Sequence, residues 1–211
     1  MFFLWNFFVI YSIIILGDFM GYRYSIKKSK YANRGMSLED DINISNEYYR
    51  TNNIALIYKK PTPIKVSKVD YSNNRIIEAF FEKPSTLDYN GIYKGRYIEF
   101  DAKETQSKTS FTLSNIHKHQ LEHMKKVSYF NGISFLIVRF NLLNRTFCLF
   151  SNDLFNFIEN NSRKSIPFNF FENNCYEIDF KYMPRLDYIK IVDIYLKKNN
   201  NIEGCDCCEK K

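Results

Sequence analysis

Apolar residues recur at helical spacing in some stretches of the chain and form short strand-like runs in others. Helical periodicity predicts four helices, over residues 38–50, 113–129, 153–159 and 188–196. Apolar runs predict three buried strands, over residues 54–58, 133–140 and 146–150. Because helices and strands interleave along the chain, the pattern indicates an α/β fold.

Two further β-prone runs, residues 64–69 and 76–81, flank a polar turn at residues 71–75. This arrangement predicts a β-hairpin. The hairpin has too few apolar positions for the centre of a sheet, so we expect it to project from the body. Basic residues decorate it and the chain that leads into it: Lys59, Lys60, Lys65, Lys68 and Arg75.

The two ends of the chain differ from this pattern. Residues 1–19 are nearly all apolar, but they are shorter than the about 20 apolar residues of a spanning helix and lack a preceding basic region. We interpret them as a leader outside the fold, with Met20 as the functional start; a membrane anchor and a packed helix remain alternatives. Residues 20–33 are interpreted as a basic, flexible arm, 34–196 as the folded domain and 197–211 as a polar tail that contains Cys.

Composition narrows the class of protein. The chain has 211 residues, of which 45% are hydrophobic and 25% charged, as expected for one globular domain with extensions. Its net charge of +7 points to an acidic partner, either nucleic acid or an anionic membrane surface. Five cysteines, an odd number without a signal peptide, predict reduced thiols in the cytoplasm. Those in the tail lack a fourth ligand for zinc.

The chemically informative stretch contains Asp101 and Lys103, which point to one face of a strand because side chains alternate. Two turns can precede this strand. Asn90-Gly91 has the stronger hairpin propensity. A two-residue loop at Lys94-Gly95 would instead place Asp88 directly opposite Asp101, and Thr86 opposite Lys103.

A metal ion would resolve the repulsion between such opposed carboxylates. Their Cβ atoms would be about 4.5–5.5 Å apart, and one carboxylate would take up a proton unless a cation intervened. Mg²⁺ binds oxygen ligands and keeps several waters, which are potential nucleophiles. Lys103 could stabilise charge on a phosphate, and Gln120, a polar residue on an apolar helix face, could reach the same site. A solvated edge hairpin of mixed charge is the alternative.

Asp88 followed by Asp101-Ala-Lys103 resembles the PD-(D/E)xK nuclease signature. Longer blocks are more specific and look like those of the RecU family of Holliday junction resolvases. These blocks are residues 33–41 (NRGMSLEDD), 60–63 (KPTP), 86–97 (TLDYNGIYKGRY), 119–124 (HQLEHM), 132–133 (GI), 163–166 (RKSI) and 184–188 (PRLDY). The resemblance extends from about residue 33 to residue 196.

The resemblance implies a restriction-endonuclease-like mixed sheet flanked by helices, with a protruding β-hairpin stalk over about residues 59–84. It also implies a metal site and a lysine that stabilises the transition state. The implied metal ligands are Thr86, Asp88, Asp101 and Gln120, and the implied catalytic residues are Asp88, Asp101 and Lys103.

The family usually has Glu where this chain has Asp101, which is one methylene shorter. We expect activity to survive, because the wider signature accepts either acid. Glu39 lies on the first predicted helix, where related nucleases often place an acid near the metal. It is therefore a further catalytic candidate, although a first-turn helix charge explains it equally well.

The resemblance implies an endonuclease that resolves Holliday junctions by symmetric nicking, in recombination and DNA repair. Mg²⁺ is the expected cofactor, with Mn²⁺ as a substitute, and symmetric nicking requires a homodimer. A recombinase and a branch-migration helicase are expected partners, and no membrane partner is expected. The expected DNA-binding residues are Arg34, Lys60, Lys65, Lys68, Arg75, Arg163, Lys164 and Arg185. The alternatives are another PD-(D/E)xK endonuclease acting on duplex DNA and a non-catalytic junction-binding protein.

Overall fold

The structure is a computed structural model that describes residues 37–81 and 86–203. The predicted leader, the basic arm and Arg34 lie outside the described residues, as do the tail cysteines. The described α-helices are α1 (Leu38–Thr51), α2 (Lys118–Tyr129), α3 (Ser151–Asn160), α4 (Phe168–Asn174) and α5 (Tyr188–Glu203). The described strands are β1 (Leu56–Lys59), β2 (Ile64–Asp70), β3 (Arg75–Phe81), β4 (Tyr89–Tyr93), β5 (Arg96–Thr105), β6 (Ser110–Thr112), β7 (Ile133–Phe140), β8 (Arg145–Phe150), β9 (Ser165–Pro167) and β10 (Tyr176–Glu177).

Six strands form one mixed sheet in the order β1-β4-β5-β7-β8-β10. The two central strands, β5 and β7, are parallel, and the other neighbours in the sheet are antiparallel. A parallel pair needs a crossover connection, and α2 lies in the one between β5 and β7. The predicted α/β architecture, a mixed sheet flanked by helices, is therefore confirmed.

Apolar clusters cover both faces of this sheet. On one face, residues of α1 and α5 pack against alternate residues of the strands, and Phe100 stacks between Tyr89 and Phe135 with ring centroids 4.9 and 4.8 Å away. On the other face, α2, α3 and α4 pack against Leu136 and Val138 of β7. Since side chains alternate along β5, the face opposite Phe100 receives the residues at positions 99, 101 and 103.

The starts of α1 and α2 are set by capping boxes. Ser37 caps α1 as predicted, with its hydroxyl accepting from the backbone N–H of Asp40 at 3.2 Å. The second helix begins later than predicted, because residues 113–115 form a 3-10 turn and Ile116 and His117 are extended. The backbone N–H of His117 donates to the Gln120 side chain at 3.1 Å, which caps α2 there.

Strands β2 and β3 form the predicted hairpin as a separate two-stranded sheet. Every residue of these strands is exposed except Asp70, which is partly exposed. The Asp70 carboxylate accepts from the backbone N–H of Ser72 at 3.0 Å and so shapes the turn. Within residues 37–81 and 86–203, no helix is both long and apolar enough to cross a membrane.

Candidate active site

The turn between β4 and β5 decides which residues meet at the site. It lies at Lys94-Gly95, where both residues have positive φ angles, 48° and 75°, as a two-residue hairpin turn requires. The pairing runs from Tyr93–Arg96 to Tyr89–Phe100, so Asp88 continues toward Asp101. Asn90-Gly91, the alternative turn, lies inside β4. A Cβ on Gly91 would be 2.1 Å from the Leu56 carbonyl oxygen, so glycine allows β1 to pack closely here.

Asp88 and Asp101 are brought together, closely enough for each carboxyl to oppose ionisation of the other. Asp101 is fully buried, whereas Asp88 is partly exposed. Burial, followed by the hydrogen bond to Asp101 and its charge, raises the pKa of Asp88 to about 7, while Lys103 and Lys59 oppose the rise. The two carboxyls are therefore too close to ionise together without a compensating positive charge.

Asp101 is also the acceptor for two donors on different elements. Lys103 Nζ is 2.8 Å from Asp101 Oδ2, and Gln120 Nε2 donates to the same oxygen at 2.6 Å. The other oxygen, Oδ1, accepts from the backbone N–H of Ala102 at 2.9 Å. The structure thus brings together four of the predicted site residues, Asp88, Asp101, Lys103 and Gln120.

Thr86 lies beside them but has different neighbours from those expected. Its hydroxyl donates to Glu99 Oε1 at 2.9 Å and accepts from Lys60 Nζ at 2.8 Å. The ladder between β4 and β5 ends at Tyr89, so no strand pairing holds Thr86 opposite Lys103. Instead, Glu99, two residues before Asp101 on the same face of β5, binds Thr86.

Glu39 lies at the edge of the site. Its carboxylate is 2.5 Å from Lys59 Nζ, and both side chains are nearly half exposed. Lys59 in turn is one of the charges that lower the pKa of Asp88. Glu39 is therefore linked to the carboxylate pair through Lys59.

The candidate DNA-binding residues fall into two environments. Exposed positions are occupied by Lys65, Lys68, Arg75, Arg163 and Lys164. Lys60 and Arg185 are instead bound to buried carboxylates. Lys60 forms an ion pair with Glu99, and Arg185 lies 3.7 Å from Asp41 with its guanidinium over the Phe180 ring.

Sequence reasoning missed Glu99 and its partner His123. His123 Nε2 is 2.7 Å from Glu99 Oε2, and the Tyr97 hydroxyl donates to the same oxygen at 3.0 Å. The signal was present, because residue 99 shares a strand face with Asp101 and His123 lies one helical turn after Gln120. A helix that directs Gln120 to Asp101 directs His123 to the residue two positions earlier.

The donor set suits a hard divalent cation. The carboxylates of Asp88 and Asp101 and the Thr86 hydroxyl offer oxygen atoms, which Mg²⁺ and Mn²⁺ prefer. Gln120, which was predicted as a ligand, instead turns its side-chain nitrogen toward Asp101, while its oxygen accepts from the backbone N–H of His117. In the described part of the chain, no three His, Cys, Asp or Glu side chains converge to hold a metal ion. A cation here would therefore use the two carboxylates with neutral oxygens or waters. The closely spaced carboxyl pair, in which the pKa of Asp88 is raised, favours such a cation.

A mixed sheet with two facing carboxylates and a lysine two residues further along the strand has the geometry of a PD-(D/E)xK nuclease. The family model described as "Recombination protein U", RecU, matches residues 33–194. The chain is 51% identical over 169 residues to Holliday junction resolvase RecU of Geobacillus kaustophilus (strain HTA426), covering 77% of this chain and 84% of the relative. It is 48% identical over 174 residues to the protein of the same name from Bacillus mycoides (strain KBAB4), covering 80% and 87%.

The chain therefore belongs to the RecU family, and the predicted family is confirmed. With it the predicted enzyme class, Holliday junction resolvase, is confirmed at the level of the family. The structure also resembles Hjc of Archaeoglobus fulgidus, a Holliday junction resolvase, with a TM-score of 0.38 and 9% identity over 64% of this chain and 88% of that one. At that score the likeness adds nothing to the assignment.

Proposed function

We propose that this chain is a Mg²⁺-dependent endonuclease that resolves four-way DNA junctions by nicking two strands of like polarity. The observation that carries the proposal is the site on β5, where Asp101 contacts Asp88, Lys103 and Gln120 in a chain of the RecU family. Mn²⁺ is expected to substitute for Mg²⁺, because it accepts the same oxygen ligands.

Each residue has a distinct role in this proposal. A bound divalent cation would supply an activated water and neutralise charge on the phosphate. Asp88 and Asp101 would hold the cation, and Gln120 keeps Asp101 oriented through the 2.6 Å hydrogen bond. The Lys103 ammonium, already held 2.8 Å from Asp101, would stabilise negative charge that develops on the phosphate. Thr86 would complete the oxygen ligands.

The hairpin and symmetry supply the junction specificity. The basic residues of the β2–β3 hairpin are exposed and can contact DNA phosphates in a salt-dependent manner. The resemblance to the RecU family implies the same role for this hairpin, the stalk. Two nicks of like polarity need two active sites related by a two-fold axis, so we propose a homodimer. We further propose that it acts in the cytoplasm with a recombinase and a branch-migration helicase.

A nicking assay compares a four-way junction with its component duplex arms in Mg²⁺. We expect paired nicks in the junction and far slower cutting of the arms. Equal cutting of duplex arms would identify a different PD-(D/E)xK endonuclease. Lys103→Ala should reduce nicking to background. If wild type and Lys103→Ala nick equally at background level, the chain is a junction-binding protein.

Binding separates recognition from chemistry in the same experiment. Asp88→Asn removes one carboxylate charge with little change in shape, so it should still bind the junction without nicking it. Junction affinity is measured by fluorescence anisotropy in EDTA, with the duplex arms as the control. If the folded wild-type protein binds the junction no more tightly than the duplex arms, the proposal is rejected.

A further inference from the structure

Glu99 is a fully buried carboxylate with four side-chain partners. The sequence predicted no role for it. Its Oε1 contacts Lys60 Nζ and accepts from the Thr86 hydroxyl. Its Oε2 accepts from the Tyr97 hydroxyl and contacts His123 Nε2. Both oxygens are thus occupied by groups from four other positions of the chain.

These partners explain how the charge of Glu99 is accommodated. The Lys60 ammonium forms an ion pair with Oε1, and hydrogen bonds reach both oxygens, so the buried charge is compensated by the protein itself. A carboxylate already bound by an ammonium and three further groups has little capacity left for a cation. All four acceptor sites of Glu99 are thus used. Asp101 differs, because it has two contacts at Oδ2 and one at Oδ1 and so keeps one acceptor site for a cation.

The contacts of Thr86 define the orientation of its hydroxyl. A hydroxyl has one proton and two acceptor lone pairs. The proton of Thr86 is donated to Glu99 at 2.9 Å, and one lone pair accepts from Lys60 at 2.8 Å. One lone pair is left, and the proton that could otherwise compete with a cation is held by Glu99.

Glu99 also helps to place α2. His123 binds Glu99, and Gln120, one turn earlier on the same helix, binds Asp101. Two carboxylates of β5 thus receive two side chains of one helix face. The contact through His123 fixes the distance and rotation of α2 at which Gln120 reaches Asp101.

We propose that Glu99 is a positioning residue for the metal site, which acts mainly by orienting the Thr86 hydroxyl and does not itself bind the cation. This inference rests on the proposed function, since it assumes a cation at Asp88 and Asp101. It assigns different tasks to the two buried carboxylates of β5. Asp101 binds the cation, and Glu99 orients the Thr86 hydroxyl, the ligand beside it.

The test measures Mn²⁺ binding by electron paramagnetic resonance in the full-length protein without DNA. Glu99→Leu should weaken Mn²⁺ binding by about tenfold, because it removes the oxygen that accepts from Thr86, and losing the partner of a ligand typically costs 10–100-fold. Thr86→Val should weaken binding similarly. If Glu99 acts mainly through Thr86, the double variant should bind within about threefold of Thr86→Val. Full multiplication of the two losses, or no loss in Glu99→Leu, would overturn the inference.

A further variant keeps the test valid if Glu99→Leu folds poorly. Tyr97→Phe removes a donor from the other oxygen of Glu99 and leaves Thr86 bound, so Mn²⁺ affinity should stay within about threefold of wild type. A tenfold loss in Tyr97→Phe, with circular dichroism unchanged, would show that Glu99 does not act through Thr86.

Asp101→Asn separates this inference from the proposed function. If wild type binds Mn²⁺ and Asp101→Asn does not, the cation site stands and the Glu99 variants judge the inference alone. If wild type binds no Mn²⁺ at millimolar concentration, or if Asp101→Asn binds it as well as wild type, the proposed metal site itself is wrong. Both proposals then fall together.

Discussion

The two faces of the central sheet bury the same strand, β5, with opposite chemistry. On the face covered by α1 and α5, β5 contributes Ile98 and Phe100 to an apolar cluster. On the face covered by α2, it contributes Glu99 and Asp101, which are equally buried but charged. Each side chain buried on the apolar face stabilises the folded state. Each carboxylate buried on the charged face loses its hydration and destabilises the folded state unless hydrogen-bond donors or cations compensate.

The difference indicates how stability and chemistry are divided in this fold. Phe100 is packed between two aromatic rings, so replacing an aromatic neighbour should change stability. Asp101 is held by Lys103 and Gln120, so replacing it should change catalysis first. Substitutions on the apolar face should therefore change stability, and substitutions on the charged face should change catalysis or metal binding.

Asp101→Asn should reduce junction nicking by about 10³-fold, since it removes the buried charge that holds the cation. Asp101→Glu should retain nicking to within about tenfold, because the nuclease signature accepts either acid. Single-turnover nicking in Mg²⁺ measures both, and thermal unfolding verifies that each variant is folded. Equal activity of Asp101→Asn and wild type would move the chemistry away from this face.

Phe135→Ala should lower the free energy of unfolding by about 3–5 kcal/mol, the usual cost of truncating a buried phenylalanine. The ring of Phe135 stacks on Phe100 and lies 5.5 Å from Phe150. Urea unfolding measures the loss, and Phe135→Leu is the milder control. Nicking per folded molecule should stay within about twofold of wild type. A larger loss of nicking would show that the apolar face also shapes the site.

The parts of this fold that could be predicted carry strong local signals. The bounds of β7, Ile133–Phe140, match the predicted strand, because a long apolar run ends in polar turns. Ser37 starts α1 as predicted, because its hydroxyl and Asp40 cap the helix reciprocally. The opposed pair Asp88 and Asp101 followed from the turn position and the alternation of a strand, which are regular enough to count along.

Other parts depend on contacts that no local pattern reveals. Strands β6, β9 and β10 have two or three residues each, too few to show a period. The start of α2 was predicted too early, because Ile116 is apolar and buried but precedes the helix. Three of the four partners of Glu99, namely Lys60, Thr86 and His123, lie outside β5, so their meeting depends on the tertiary fold. The alternation of side chains on β5 could nevertheless have predicted that Glu99 lies buried on the same face as Asp101.

The hairpin belongs to neither face and should affect binding alone. Replacing both Lys65 and Lys68 by Ala should weaken junction binding by about tenfold. It should also reduce the slope of log affinity against log salt concentration by about two, the amount expected for two lost phosphate contacts. Glu78→Gln is the matched control, because Glu78 lies opposite Lys68. It should bind as well as wild type or more tightly. Anisotropy titrations across a range of salt concentrations measure this, and an unchanged salt slope would remove these lysines from the DNA interface.

Asp88→Asn should give the smallest effect, a gain of stability in EDTA that appears only at high pH. The pKa of Asp88 is raised to about 7 by burial and by Asp101, so its ionisation costs more in the folded state than in the unfolded chain. The cost is absent below about pH 4, the ordinary pKa, and is complete above about pH 7. Asparagine cannot ionise, so we expect the variant to gain about 1 kcal/mol, or a few degrees in Tm, at pH 8 and little at pH 5.

Mg²⁺ reverses the sign of that difference if Asp88 binds the cation. The ion should raise the Tm of wild type at pH 8 and leave the variant nearly unchanged, because a ligand that binds only the folded state stabilises it by mass action. Differential scanning fluorimetry with and without Mg²⁺ measures all four combinations. A variant less stable than wild type at pH 8 in EDTA would mean that Lys103 and Lys59 outweigh the repulsion from Asp101. The charged face would then be stable without a metal ion. It would differ from the apolar face only in how its side chains pack.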